Sequence, residues 1–243
     1  MRGYIRRDSY DIPYRMEKGS GDKVVIVAHG FASSKESPTV EMLAKELPEK
    51  GIGVAALDFP AHGESPVDGE FLTVKNCVRD LGDMEAFIRE ECPGAEICCF
   101  GSSFGAYITL IYLMESGKEG TRAFLRSAAV NMSDYFSELT KDERRAIDEM
   151  GYFLLEDEVR PIKITRGLVE SLKANDIRED FRPDGLRLMM IHGSADEDID
   201  YSEARAFAEK YDVLLITVEG GDHRLSIPGA PEKVLEEALR FFG

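Results

Sequence analysis
The chain has 243 residues, 43% of them hydrophobic, and its 46 Asp and Glu against 30 Lys and Arg give a formal net charge of −16 at pH 7. That length supports a substantial core in a single α/β domain spanning residues 1–243. The acidic excess excludes a nucleic-acid backbone as partner, because neutralising phosphates takes a concentrated basic surface, and it disfavours polyanionic substrates.

Arg2, Arg6 and Arg7 charge the amino terminus without an apolar signal core, and no later window approaches the length of a membrane span. A cytoplasmic protein without a membrane partner is expected. Residues 4–14 alternate polar with aromatic or aliphatic side chains and predict an opening hairpin. The unbroken apolar run at 24–28 predicts a strand buried on both faces. Then follow a helix at 39–50, a strand at 52–57, a helix at 74–91, a strand at 95–100, a helix at 104–115 and a strand at 123–130. Further on come a strand at 186–191, a helix at 201–211, a strand at 213–218 and a helix at 231–242. This alternation predicts a mostly parallel sheet with helices on both faces and a site at the carboxyl ends of its strands. The four cysteines, Cys77, Cys92, Cys98 and Cys99, lack zinc-site spacing and read as reduced structural thiols.

Residues 131–183 break the rhythm, with a helix at 140–150 and an extended pattern over 152–165. No Pro/Gly/Ser-rich linker flanks them, so they read as a cap inserted over the active-site mouth rather than a second domain, with an ordinary surface excursion as the competing reading. Met132, Tyr135, Phe136, Tyr152, Phe153, Leu154 and Leu155 either line an apolar pocket or pack the cap on the body; packing is favoured.

The run Gly101-Ser102-Ser103-Phe104-Gly105 lies where strand gives way to helix. Glycines two residues either side of Ser103 permit the sharp turn of a nucleophile elbow, and the helix behind it favours negative charge on a bound oxygen. A serine hydroxyl needs a general base. His223, in the glycine-rich loop after the last strand, is the preferred base; His62 is the runner-up, and His29 and His192, each in a His-Gly step, suit loop-fixing roles. Asp196, first carboxylate after the 186–191 strand, is chosen as the acid that orients the base. Asp198 and Asp200 suit helix capping. The Asp-x-Asp-x-Asp spacing lacks the Gly and Glu of a calcium loop. The backbone amides of Phe31 and Phe104 are the expected oxyanion donors. No metal or organic cofactor is called for.

With His29-Gly30-Phe31, the turn from Asp58 to Ser65, the Ser103 elbow, His192-Gly193-Ser194-Ala195-Asp196 and Gly221-Asp222-His223 in this order, the chain resembles the α/β-hydrolase superfamily. Within it the chain is similar to small bacterial carboxylesterases of the cinnamoyl or feruloyl esterase kind, and to the serine aminopeptidase and acylpeptide hydrolase branch. The resemblance implies an α/β-hydrolase fold, with a mostly parallel eight-stranded sheet, helices on both faces, a small cap and a Ser103-Asp196-His223 triad. It implies a serine hydrolase cleaving small-molecule carboxylic esters with small or aromatic acyl groups. Serine aminopeptidases, acylpeptide hydrolases and thioesterases use the same residues, and a ligand-binding protein that has lost catalysis is a remote alternative. A homodimer is left open, since no coiled-coil seam is present.

Overall fold
In the unbroken run of β3 (Lys23–Ala28), Val24, Ile26 and Ala28 enter one hydrophobic core while Val25 and Val27 enter another. A strand that must be apolar on both sides belongs in the middle of a covered parallel sheet, and there the computed structural model, which describes residues 1–117, 119–137, 139–156 and 160–243, places it. Before it, β1 (Arg2–Ile5) and β2 (Ile12–Glu17) form the opening hairpin. After it come α1 (Pro38–Glu49), β4 (Gly53–Leu57), α2 (Val74–Glu91), β5 (Glu96–Ser102), α3 (Phe104–Ser116) and β6 (Arg122–Arg126). A 3-10 turn (Met132–Asp134), α4 (Lys141–Met150), β7 (Tyr152–Leu155), β8 (Ile162–Thr165), α5 (Arg166–Lys173) and α6 (Ile177–Asp180) precede β9 (Arg187–Gly193), α7 (Tyr201–Tyr211), β10 (Leu214–Val218) and α8 (Ala230–Phe242).

The main sheet has eight strands in the order β1-β2-β4-β3-β5-β6-β9-β10. It is antiparallel at β1/β2 and β2/β4 and parallel elsewhere. On one face α1 and α8 bury Leu43, Leu47, Val234 and Phe242 against Phe100 and Phe124. On the other, α2 and α3 bury Leu81, Met84, Ile88 and Leu110. Burying side chains of this size contributes about 1.5–3 kcal/mol each. Helix α3 is buried from Phe104 through Leu113, so the helix behind the elbow is closely packed support.

The strand expected to run to residue 130 stops at Arg126, because Ser127 turns into the left-handed region at φ 47° while its amide bonds Ile191 O at 2.8 Å. Strand β5 instead runs on to Ser102, since Gly101 and Ser102 pair with Leu125 and Arg126. In the 131–183 interval, β7 and β8 form an antiparallel pair, and α5 and α6 were not predicted. The extended pattern expected over 152–165 includes positions 157–159, which lie outside the described residues. The interval is fastened to the body: Tyr107 Oη donates to Asn175 O at 2.8 Å, Val74 N to Ser171 Oγ at 3.3 Å and Arg160 to Ser65 O at 3.0 Å. Met132, Phe136 and Phe153 are buried, Tyr152 and Leu155 are half-buried, and Tyr135 and Leu154 are exposed. Cys77, Cys98 and Cys99 are buried and Cys92 is half-buried. Among the described residues no helix is long and apolar enough to cross a membrane.

Candidate active site
Ser103 occupies the step from β5 into α3 at φ 50°, ψ −115°, a conformation that costs a non-glycine residue on the order of 1–3 kcal/mol. Packing imposes it. The Ser103 amide donates to Arg126 O at 2.9 Å, and its carbonyl accepts from Ala106 N at 3.0 Å and Tyr107 N at 3.2 Å. The flanking glycines are needed for close approach: a Cβ on Gly101 would lie 2.5 Å from Ala106 Cα, and one on Gly105 2.5 Å from the carbonyl carbon of Ala28.

His223 Nε2 lies 3.0 Å from Ser103 Oγ, and its Nδ1 lies 2.8 Å from Asp196 Oδ2. A carboxylate accepts at Nδ1, so Nδ1 carries the proton and Nε2 offers its lone pair to the serine hydroxyl, the tautomer a general base requires. His223 itself hangs from its backbone, where Ser127 Oγ donates to His223 O at 2.8 Å and the Arg126 guanidinium bonds the next carbonyl, Arg224 O. Burial lowers the Arg126 pKa to about 10, opposed by Asp222 and Asp196. The loops carrying Asp196 and His223 are zipped together: Ser194 N bonds Val218 O at 2.9 Å, Ala195 N bonds Gly221 O at 3.0 Å, and a Cβ on Gly193 would lie 2.5 Å from the Gly221 carbonyl carbon. Burial alone would raise the Asp196 pKa. Contacts with His192, His223 and the Ile199 amide outweigh it and hold this carboxylate well below its usual range.

The amides of Phe31 and Phe104 donate to no acceptor among the described residues. Phe104 opens α3, where the helix supplies no partner for an N–H. Phe31 follows Gly30, whose missing Cβ would sit 3.4 Å from Ser103 Cβ, so the loop carrying Phe31 passes close beside the serine. The Phe31 loop is pinned from behind by a buried ion pair that sequence reasoning missed. Lys35, 1% exposed, places Nζ 2.9 Å from Asp58 Oδ2, while its amide bonds Asp58 Oδ1 at 2.7 Å. These residues are far apart in sequence and carry no local signal of their pairing.

Among the described residues, none of the other histidines is hydrogen-bonded to Ser103. His62, the runner-up base, is buried beside Phe31 and Phe104, has Nδ1 2.8 Å from Pro60 O and makes no hydrogen bond to Ser103; burial pushes its pKa down to about 3. His29 fixes its loop, accepting from Phe59 N at 3.1 Å. His192 bonds Ile199 O at 3.1 Å and also reaches Asp196. Asp200 caps α7 through Ser202 N at 2.7 Å, whereas Asp198 is not its cap.

A family model described as serine aminopeptidase, S33, matches residues 19–166, more than half the chain. A sequence comparison with curated proteins gives no significant match. Among solved structures, a candidate hydrolase from Agrobacterium vitis S4 superposes with a TM-score of 0.84 at 23% identity, covering 100% of this chain and 98% of the other. Est1E from Butyrivibrio proteoclasticus, solved with ferulic acid bound, gives 0.77 at 19% identity over 98% of each chain. The monoacylglycerol lipase of Paleococcus ferrophilus gives 0.75 at 17%, over 95% of this chain and 98% of that one. At such identities the likeness establishes the fold, which is that of the α/β hydrolases. The chain belongs to the serine aminopeptidase S33 family, serine-type hydrolases of the α/β-hydrolase fold.

Proposed function
We propose that the protein is a cytoplasmic carboxylesterase that cleaves small-molecule esters of small or aromatic acids through an acyl-enzyme on Ser103. The observation that carries this reading is the hydrogen-bonded row from Ser103 through His223 to Asp196 beside two amides that lack acceptors. His223 Nε2 takes the hydroxyl proton as Ser103 Oγ bonds to the ester carbonyl carbon, and the carbonyl electron pair moves onto the oxygen. The Phe31 and Phe104 amides hold that oxyanion, each worth about 2.7–4 kcal/mol. Collapse breaks the bond to the alcohol oxygen, which leaves with the proton from His223. Water then repeats the sequence on the acyl-enzyme, releasing the acid and restoring Ser103. Asp196 keeps the imidazole in its tautomer and stabilises the imidazolium.

Residues 131–183 act as a cap that contributes to the acyl site. Phe136 stands edge-on to Phe31, with ring centroids 6.0 Å apart, and Phe31 stands edge-on to Phe104 at 5.5 Å, an aromatic wall beside the elbow suited to an apolar or aromatic acyl group. The ferulic acid bound by Est1E fits this preference. The family description supports a second reading, removal of an amino-terminal residue from a peptide.

Hydrolysis of p-nitrophenyl esters from acetate to octanoate, methyl ferulate and an aminoacyl p-nitroanilide separates the two. Ester turnover that disappears in Ser103→Ala is expected. Turnover confined to the anilide would transfer the assignment to peptide cleavage, and no Ser103-dependent turnover would remove both.

A further inference from the structure
Four nitrogens stand within 3.0 Å of the Asp196 carboxylate oxygens. The amides of Asp198 and Ile199 donate to Oδ1 at 3.0 and 2.8 Å, His223 Nδ1 lies 2.8 Å from Oδ2, and His192 Nε2 lies 2.9 Å from that same Oδ2. The last of these is different in origin. Three of the donors sit on loops, whereas His192 is the penultimate residue of β9, paired with Thr217 of β10 inside the main sheet. Its side chain is fully buried, and its ring stands edge-on to Tyr201, the first residue of α7, with centroids 6.1 Å apart.

The partners fix its protonation. Nε2 faces two acceptors, hydrogen-bonding Ile199 O at 3.1 Å and approaching Asp196 Oδ2 at 2.9 Å, so it carries the proton. Nδ1 is buried with no partner among the described residues. An N–H there would be a buried donor with nothing to receive it, whereas an N–H on Nε2 has acceptors in reach, so the partners favour the Nε2–H tautomer.

We propose that His192 is a positioning residue for the reaction: from the rigid sheet it holds Asp196 Oδ2 where His223 Nδ1 meets it. The role rests on the catalytic reading of Ser103, His223 and Asp196. Without His192 the carboxylate loses its only contact with a strand side chain among its four donors, and Oδ2 is left with His223 alone. Oδ1 stays on the Asp198 and Ile199 amides while Oδ2 can pivot about that anchor, so the imidazole is held less firmly and the serine proton transfer suffers.

The test compares His192→Leu, which removes the donor, with His192→Gln, whose side-chain amide nitrogen is the same number of bonds from Cβ as Nε2. In His192→Leu, kcat for the best p-nitrophenyl ester is expected to fall about 10- to 100-fold, as misplacement of catalytic groups does, with KM little changed. His192→Gln is expected to recover most of that loss, with unfolding midpoints of the two variants alike. Proton NMR supplies a readout that needs no turnover: the downfield His223 Nδ1–H resonance is expected in wild type and His192→Gln, and shifted or lost in His192→Leu. Nitrogen-15 NMR of the wild type is expected to show His192 as the Nε2–H tautomer, which tests the claim even if His192→Leu does not fold. Equal loss of kcat in both variants, an unmoved resonance in His192→Leu, or an Nδ1–H tautomer would each overturn the proposal. Full ester turnover in Ser103→Ala would overturn the catalytic reading instead, and the resonances would still report on His192.

Discussion
Gly105 of α3 presses against the end of β3 so closely that a Cβ there would lie 2.5 Å from the carbonyl carbon of Ala28. Phe104 precedes Gly105 and the Phe31 loop follows β3, so on the proposed mechanism the approach of helix to strand also bears on the spacing of the two oxyanion amides. Gly105→Ala must push α3 away from the sheet. Urea unfolding is expected to show a loss of at least about 2–3 kcal/mol, the upper range for overpacking, together with reduced kcat. Gly117→Ala is the control: its φ is +59° but no atom lies within 4 Å of the added Cβ, so only backbone strain of roughly 1–2 kcal/mol applies.

The pair of Lys35 and Asp58 has both side chains out of water. Burial lowers the Lys35 pKa, yet hydrogen bonds to Glu64 and Asp58 more than offset this and raise it. Lys35→Met strands a buried carboxylate beneath the Phe31 loop. A stability loss of about 3–5 kcal/mol is expected, with kcat for ester hydrolysis falling more than KM rises, because in the proposed mechanism the loop serves the oxyanion rather than the ground-state ester.

Asp80 gives the protein a pH-dependent stability far from the site. It lies fully buried on α2, bonded by Arg7 and by Tyr10 Oη at 2.8 Å. Burial raises its pKa to about 7 despite the hydrogen bond from Tyr10 and the charge of Arg7. A pKa raised on folding means stability that is full below the unfolded value near 4 and declines as pH climbs toward 7, by up to about 1.4 kcal/mol per pH unit. Asp80→Asn removes that slope while Arg7 keeps Asp83, 3.0 Å from its Nε. Urea unfolding at a series of pH values should therefore show wild type losing ground to the variant between about pH 5 and 7. Parallel curves would contradict the assignment.

Asp196 has the opposite sign. Its carboxyl is held below the usual range, so its contribution to stability is present above the unfolded value near 4 and disappears only as pH falls through the lower folded value. Asp196→Asn forfeits that contribution at neutral pH. It also turns an amide toward His223 and favours the wrong tautomer, so kcat is expected to fall about 10³- to 10⁴-fold. A variant retaining wild-type kcat would remove Asp196 from the mechanism.

Much of this was legible in the sequence because local signals and tertiary demands coincide. Strands buried on both faces betray themselves as unbroken apolar runs, and the elbow needs its two glycines for reasons of contact that any chain making this turn shares. The five residues picked for the site, Ser103, Asp196, His223, Phe31 and Phe104, come from loops at the ends of β3, β5, β9 and β10, and a parallel sheet gathers such loops at one edge. What escaped has no local signature. Helix α5 has only Leu168, Val169 and Leu172 buried, and α6 has only Ile177, too few apolar positions to establish a helical period. Ala128, Ala129 and Val130 are buried and apolar, which suggested more strand, but contacts to Ile191 and His223 turn the chain at Ser127. Lys35 and Asp58 lie 23 residues apart, and only the fold brings their side chains together.

The most direct test of the central claim is intact and peptide mass spectrometry after reaction with a fluorophosphonate, on wild type, Ser103→Ala and His223→Ala. A single adduct on the peptide carrying Ser103, absent from Ser103→Ala and strongly slowed in His223→Ala, is the predicted result. An unlabelled wild type, or an adduct on another residue that persists in Ser103→Ala, would contradict it.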